Sequence, residues 1–269
     1  MQKTYLGRYV FGLAAILFGV LTLLWRDFNT WQQISALGNV PHRPVLVCLA
    51  AAIEILGGLA ILFPRTAREG AVALGIVYLQ FALLWVPYIA KSPKVYGRWG
   101  SFFEEFSQVA GALIVYATVV HGNSEKAMKL ARIGYVCFAI SIVSFTLEQL
   151  FYLSATADFV PKWIPPGQMF WAVTTTIAFA LASIALLTGR YALLASQLLT
   201  AMIVGFGLLI WLPAPFIDPH QQISWFGNAQ NLAIAGAAWI VADYLGQNHS
   251  PLSVRINRGA GTEIDLTAK

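Results

Sequence analysis

The residues best equipped to do chemistry are a few carboxyls and amides set in otherwise apolar runs. Glu54 stands near the centre of the stretch 45–63, where a carboxylate is costly and normally faces a partner inside a helical bundle. Ala50, Ala51, Gly57 and Gly58 surround it, small residues that let another helix come close. Gln80, central in the next apolar run, is the expected hydrogen-bonding partner, and the carboxyl is expected to be neutral at pH 7. Two readings stand for Glu54: an acid that anchors a ligand or handles a proton, or a neutral interhelical hydrogen bond.

Further along, Glu105 and Gln108 lie one helical turn apart and share a face, while the adjacent Glu104 suits the amino end of the same helix. Glu148 and Gln149 follow about a turn from the end of another apolar run. Trp31 and Trp99, with Trp25, Trp85, Trp163, Trp211 and Trp225, fall at one boundary of the apolar segments. An indole there is half in lipid and half in water, so these residues form either an aromatic belt or the rim of an entrance for a hydrophobic ligand. His42 and His220 sit on separate connections without the spacing of a metal site. With His121 and His249, all the histidines lie outside the apolar runs, a poor set for haem. The chain has no phosphate-binding loop, no GxGxxG between strand and helix, no CxxC and no nucleophile elbow, so no haem, flavin or metal motif is present. Cys48 and Cys137 are expected near opposite ends of their segments, out of disulfide reach.

The elements that must position these groups are set by composition. The chain of 269 residues is 58% hydrophobic and 11% charged, which excludes a water-soluble globule. Eight apolar segments can be read, 8–25, 45–63, 70–90, 102–120, 133–153, 168–187, 191–212 and 225–245. Backbone polar groups find no water in hydrocarbon, so each segment must be a helix, and the fold class is all-α with eight transmembrane helices.

The segments come in two sets. Leu84-Trp85-Val-Pro87 returns as Ile210-Trp211-Leu-Pro213, and Trp99 with Ala110-Gly111-Ala112 returns as Trp225 with Ala235-Gly236-Ala237. The offset stays within 124 to 126 residues, which divides the chain into a first four-helix repeat, 1–122, a second, 123–245, and a polar tail, 246–269, expected to be a flexible cytoplasmic extension. Four helices per copy, an even number, give both copies the same polarity, so two parallel four-helix bundles are expected. Eleven of the 17 Lys and Arg fall on the side holding both termini, against six for the other, which puts both termini in the cytoplasm and explains the basic balance without nucleic acid. The first segment reads as a retained signal anchor, since no small-residue cleavage site follows it. The two copies differ in their polar residues: Glu54 falls on Phe179, Gln80 on Gly205 or Phe206, and Glu105 on Gln230. That asymmetry points to the first copy as the ligand site, entered from the outer leaflet.

In the second copy Leu147-Glu148-Gln149-Leu-Phe151-Tyr, Val160-Pro161-Lys-Trp163-Ile-Pro165, Phe170-Trp171-Ala and Ile210-Trp211-Leu-Pro213 follow one another. This order resembles the DoxX-like family of four-helix membrane proteins, whose members often carry a VPxWxP loop and an FWA-type helix start. The first copy resembles the same unit through Ile53-Glu54-Ile-Leu-Gly57-Gly58 and Glu105-Phe-Ser-Gln-Val-Ala-Gly111, so a tandem duplication spans about residues 6–244. The resemblance implies a place in redox systems, because family namesakes include the membrane component of a thiosulfate:quinone oxidoreductase. It supplies no family-wide catalytic residues.

The expected function is a non-catalytic subunit of a membrane redox system, or a component of it that binds a quinone or lipid. The candidate ligand residues are Glu54, Gln80, Glu105, Gln108, Glu148, Gln149, Trp31 and Trp99. A small-solute transporter or channel, and a self-contained quinone-linked oxidoreductase, are the alternatives. Expected partners are membrane lipids, with a redox-complex protein or a second copy of the chain, and the expected place is a bacterial inner membrane.

Overall fold

The computed structural model describes residues 5–28, 32, 41–120 and 124–248, and Trp31 and the polar tail beyond 248 lie outside the described residues. Among the described residues every regular element is a helix: α1 (Leu6–Trp25), α2 (Arg43–Leu62), α3 (Ala67–Lys91), α4 (Tyr96–Val120), α5 (Glu125–Phe151), α6 (Leu153–Phe159), α7 (Gln168–Thr188), α8 (Ala192–Phe206), α9 (Ala214–Ile217) and α10 (Gln222–Asn248). A π-helical turn, Gly207–Trp211, joins α8 to α9. Local signals mark several ends. Pro44 opens α2, the Ser124 hydroxyl accepts the Ala127 amide at 3.2 Å to cap α5, and Gly189 closes α7 with φ of 73°.

Six stretches are long and apolar enough to cross a membrane: α1, α2, α3, α5, α7 and the run Ala192–Ile217. These are the helices of an integral membrane protein. Leu13, Leu56, Ile76, Leu181, Ile184 and Leu198 stand exposed on their outer faces, a surface that lipid solvates and water would not. The helices α4 and α10 are as long, 25 and 27 residues, but more polar. Their position accounts for this. Each packs against helices on several sides, α4 on α3, α5 and α10, and α10 on α1, α8 and α4, so their polar residues meet protein rather than lipid.

The packing crosses the boundary between the copies. Besides its contact with α2, α1 packs along α10, and α4 packs along α5, while α4 and α10 meet in the middle. The copies therefore share one helical assembly with a continuous core rather than forming two separate bundles. The inner helices α4 and α10 run the same way along each other. Gln108 of α4 meets Gln230 of α10, and three residues further on Gly111 lies against Ala237. The Gly7 amide at the start of α1 donates to Asp243 near the end of α10 at 3.0 Å, so the first helix begins where the last one finishes.

Glycine makes the seams close. A Cβ on Gly236 would lie 2.7 Å from the Phe11 amide nitrogen, and one on Gly58 would lie 2.6 Å from the Gly12 carbonyl oxygen, both backbone atoms that cannot step aside. Gly205, by contrast, has open space around it. Gly236→Val is therefore expected to force α10 off α1 and lower stability by about 3 kcal/mol. Gly205→Ala should raise it by roughly 0.5–1 kcal/mol through lower backbone entropy in the unfolded chain. Thermal unfolding of the purified variants in detergent checks both, and equal effects would refute this account of the seam.

Candidate functional site

Two groups of polar residues sit inside the helices, and they differ in what they can admit. The first is closed. Glu54 on α2 is fully buried, and its Oε1 accepts a hydrogen bond from Gln32 Nε2 at 2.7 Å. Gln32 belongs to the connection that follows α1. Among the described residues beside it, Phe28 packs its ring on Phe81 at 6.4 Å, and Arg43 Nε holds the Asp27 carboxylate at 2.9 Å. Tyr78 on α3 lies beside the rings of Phe11 and Phe18, within electrostatic reach of both Glu54 and Glu105. On α4, Gln108 Nε2 donates to Gln230 Oε1 at 3.1 Å and reaches Glu105 Oε2 at 3.5 Å, the long limit of a hydrogen bond. Glu54 Oε2, the Tyr78 hydroxyl, Gln108 Oε1 and Gln230 Nε2 are buried with no partner among the described residues. Groups left in this state are the ones that internal water serves.

Gln80 is not part of this cluster. The inward residues of α3 are Leu74, Val77, Tyr78, Phe81, Ala82 and Trp85, and Gln80, two residues beyond Tyr78, falls on the opposite, exposed side. Its expected role as the partner of Glu54 belongs to Gln32. Trp99 is half-buried and donates its indole N–H to the Pro93 carbonyl at 3.1 Å, which braces the α3–α4 connection. Trp225 makes the same bond to Pro219 and Trp171 to Pro165, both at 2.9 Å. A Pro and a Trp six residues apart thus pin the entry to three helices, a signal present in the sequence at 93/99 and 219/225 that the reading as an aromatic belt passed over.

The second group is open. A cavity of about 570 Å³ lies between α4, α5, α6, α7, α8 and α10, walled mainly by the second copy. Glu104, Glu148, Gln149, Tyr152, Trp171 and Trp211 contribute to its lining. Gln149 Oε1 accepts from the Thr175 and Thr176 hydroxyls at 3.3 and 3.1 Å, which fixes the amide on the wall. The Glu148 carboxyl rests on α4 where a side chain of Gly100 would start, its Oε2 only 2.1 Å from that Cβ position. The Tyr152 hydroxyl accepts the Gly97 amide at 3.2 Å and keeps its own hydrogen to give. Phe179, which occupies the position corresponding to Glu54, lines this cavity too. In the first copy Gln32 and Phe28 lie buried beside Glu54 and Phe81, and this cavity is walled mainly by the second copy, while the asymmetry of carboxyls points to the first for a ligand. Among the expected residues, Glu148 and Gln149 reach the cavity, while Glu54, Glu105 and Gln108 stay in the closed cluster; Gln230 touches both.

The π-turn shapes one wall. Asn231 Nδ2 donates to the Ile203 carbonyl at 3.0 Å and Asn228 Nδ2 to the Trp211 carbonyl at 2.6 Å, so α10 supplies bonds to backbone oxygens on both sides of the turn. Gly227 leaves room for the Trp211 indole, which a Cβ there would meet at 2.0 Å. Such turns are frequent at functional sites. The corresponding α3 runs through Trp85 and Pro87 as a continuous helix, with Trp85 buried. Among the described residues no three His, Cys, Asp or Glu side chains converge in a way that could hold a metal ion.

Glu54→Gln is expected to keep the fold, because an amide can make the same bond to Gln32, whereas Glu54→Lys puts a longer charged group in a closed interior and should abolish folded yield. Gln32→Leu should cost about 1–3 kcal/mol by leaving Glu54 without its donor. The Gln32→Leu/Glu54→Leu pair should recover part of that loss. Size-exclusion profiles and thermal unfolding in detergent decide, and tolerance of Glu54→Lys would place the side chain in contact with water or lipid headgroups.

Comparison of the chain with protein-family models, with curated proteins and with solved structures finds no match.

Proposed function

We propose that this chain is a membrane protein that binds a hydrophobic small molecule with a hydrogen-bonding head, of the quinone or lipid class, in the cavity of its second copy. The observation that carries this reading is the cavity itself. Its volume of about 570 Å³ falls within the roughly 300–1,000 Å³ typical of small-molecule sites, and its walls are mostly apolar and aromatic with a few fixed polar groups. Gln149 and Tyr152 offer hydrogen bonds to carbonyl or hydroxyl oxygens of a ring or headgroup, Glu148 offers an acceptor, and Trp171 and Trp211 offer flat faces for a ring to lie on. The redox setting, as an accessory subunit that presents or holds a quinone, rests on the resemblance to DoxX-like proteins. A second reading, transport of a small solute, draws on the parallel repeats and on the π-turn that interrupts one of two corresponding helices. Uptake by vesicles containing the purified chain separates it from simple binding.

Titration of the purified chain with a short-chain quinone, read by quenching of tryptophan fluorescence, tests the binding reading. Gln149→Leu and Trp211→Ala should each weaken binding by about 1–3 kcal/mol, and Glu105→Gln, in the closed cluster, should change it little. The largest loss at Glu54 or Glu105, or no saturable quenching, would overturn the assignment.

The same proposal places eight spans across a bacterial inner membrane, with both termini cytoplasmic; it is supported by the eleven-to-six charge bias and by the meeting of α1's start with α10's end. Single cysteines at the exposed positions 126 and 220, introduced after replacing Cys48 and Cys137 by Ser, should be labelled from opposite sides of the membrane. Labelling of both from one side would break this topology.

A further inference from the structure

A second cavity lies at the end of the assembly where α1 begins and α4 and α10 finish, remote from the site proposed above. It measures about 280 Å³, and Arg8 and Asp243 share its lining. Arg8 is 7% exposed, and its Nε has no hydrogen-bond partner among the described residues. Two tyrosine rings hold the guanidinium from one side, with its Cζ 5.7 Å from the centre of Tyr5 and 5.2 Å from that of Tyr9, and Nη2 makes a long contact of 3.5 Å with the Tyr9 hydroxyl. Asp243 does not neutralise it: among the described residues no ion pair joins the two, and Asp243 Oδ2 instead accepts the Gly7 amide at 3.0 Å, serving the amino end of α1.

Arginine stays charged in any protein setting, so a buried guanidinium with a donor to spare calls for an acceptor from outside the chain. The fold itself does not require the pair. Across the offsets of 124 to 126 residues that relate the copies, Arg8 falls on Arg132, Ile133 or Gly134, and Asp243 falls on Val119, Thr118 or Ala117, none of which is acidic. The nearest arginine in the second copy, Arg132, is exposed. The cavity thus joins a plus charge from the first copy to a minus charge from the second, and the corresponding positions hold no such buried pair.

We infer that this cavity binds a zwitterionic phospholipid headgroup of the phosphoethanolamine kind, its phosphate on Arg8 and its ammonium on Asp243. The phosphate accepts from the guanidinium and sits near the positive amino end of α1. The ammonium has the second oxygen of Asp243 to donate to. Ile114, Val115, Val119 and Ile240 supply apolar wall for the glycerol and the start of the acyl chains. Tyr5, Tyr9 and Tyr244 cluster at the same level, as aromatic residues do at a membrane interface, where basic pockets between helices take lipid headgroups. Half the volume of the cavity between α4 and α10, the space suits a headgroup better than a ring with a tail.

The test uses the full chain, delipidated in detergent, with phosphatidylethanolamine, phosphatidylglycerol and inorganic phosphate added separately and bound molecules counted by native mass spectrometry. The unaltered chain should retain one phosphatidylethanolamine in preference to phosphatidylglycerol. Arg8→Gln should weaken that retention about tenfold or more. Asp243→Asn keeps an oxygen for the Gly7 amide but drops the charge, so it should fold normally and lose the preference between the two lipids. If Arg8→Gln does not fold, Arg8→Lys, with a charge but no planar fork, gives the intermediate case and should retain the lipid less well. Equal retention by the unaltered chain and by Asp243→Asn, no preference in the unaltered chain, or binding of phosphate without either lipid would each overturn the proposal.

Discussion

The contact on which the rest of the structure depends is the three-way approach of α10 to α1 and to α4. It is made at residues with little or no side chain: Gly236 lies against the backbone at Phe11, Gly7 against the backbone at Ile240, and Gly111 against Ala237. Apolar side chains gain little from leaving lipid for protein, so helices in a membrane are held by close backbone approach and by the polar groups that approach brings together. Two such groups follow here. The Gly7 amide reaches Asp243, and Gln108 reaches Gln230, because the helices carrying them stand so close. The same geometry makes α4 and α10 the inner helices and frees them from the need to be uniformly apolar.

Once the two copies share one core, their interiors can diverge. In the first, Phe28 and Gln32 beyond α1 are buried, and Glu54 gains a donor there. In the second, the short helix α6 borders the corresponding space without filling it, Phe179 replaces the carboxyl, and an open cavity remains. The π-turn and its two asparagine supports belong to the second copy, and the corresponding α3 runs on as a continuous helix with Trp85 in the core. Gln230 is the point of contact between the two interiors, hydrogen-bonded to the closed cluster on one side and lining the cavity on the other.

Much of this was legible in the sequence, and the reason is that hydropathy and repetition are properties of residues in order. The membrane setting, the all-α class and the approximate bounds of the long helices follow from apolar length. The inward direction of Glu54 was also readable, since a carboxyl amid small residues in an apolar run has no other inexpensive place to point. Which group it meets was not. Gln80 lies at the right depth, but the phase of α3 turns it outward, and the donor comes instead from a connection whose path no periodicity describes.

What only the tertiary structure decided are the facts that depend on where separate segments cross. That the copies interlock instead of forming two bundles, that the open cavity belongs to the copy with fewer buried carboxyls, that Trp99 braces a loop, and that Arg8 and Asp243 share a cavity are matters of crossing point and helix phase between residues up to 236 positions apart. Sequence determines which residues a helix carries and how often they recur on a face. Packing, through the few glycine contacts that let backbones touch, determines which faces meet, and the chemistry of this protein resides at those meetings.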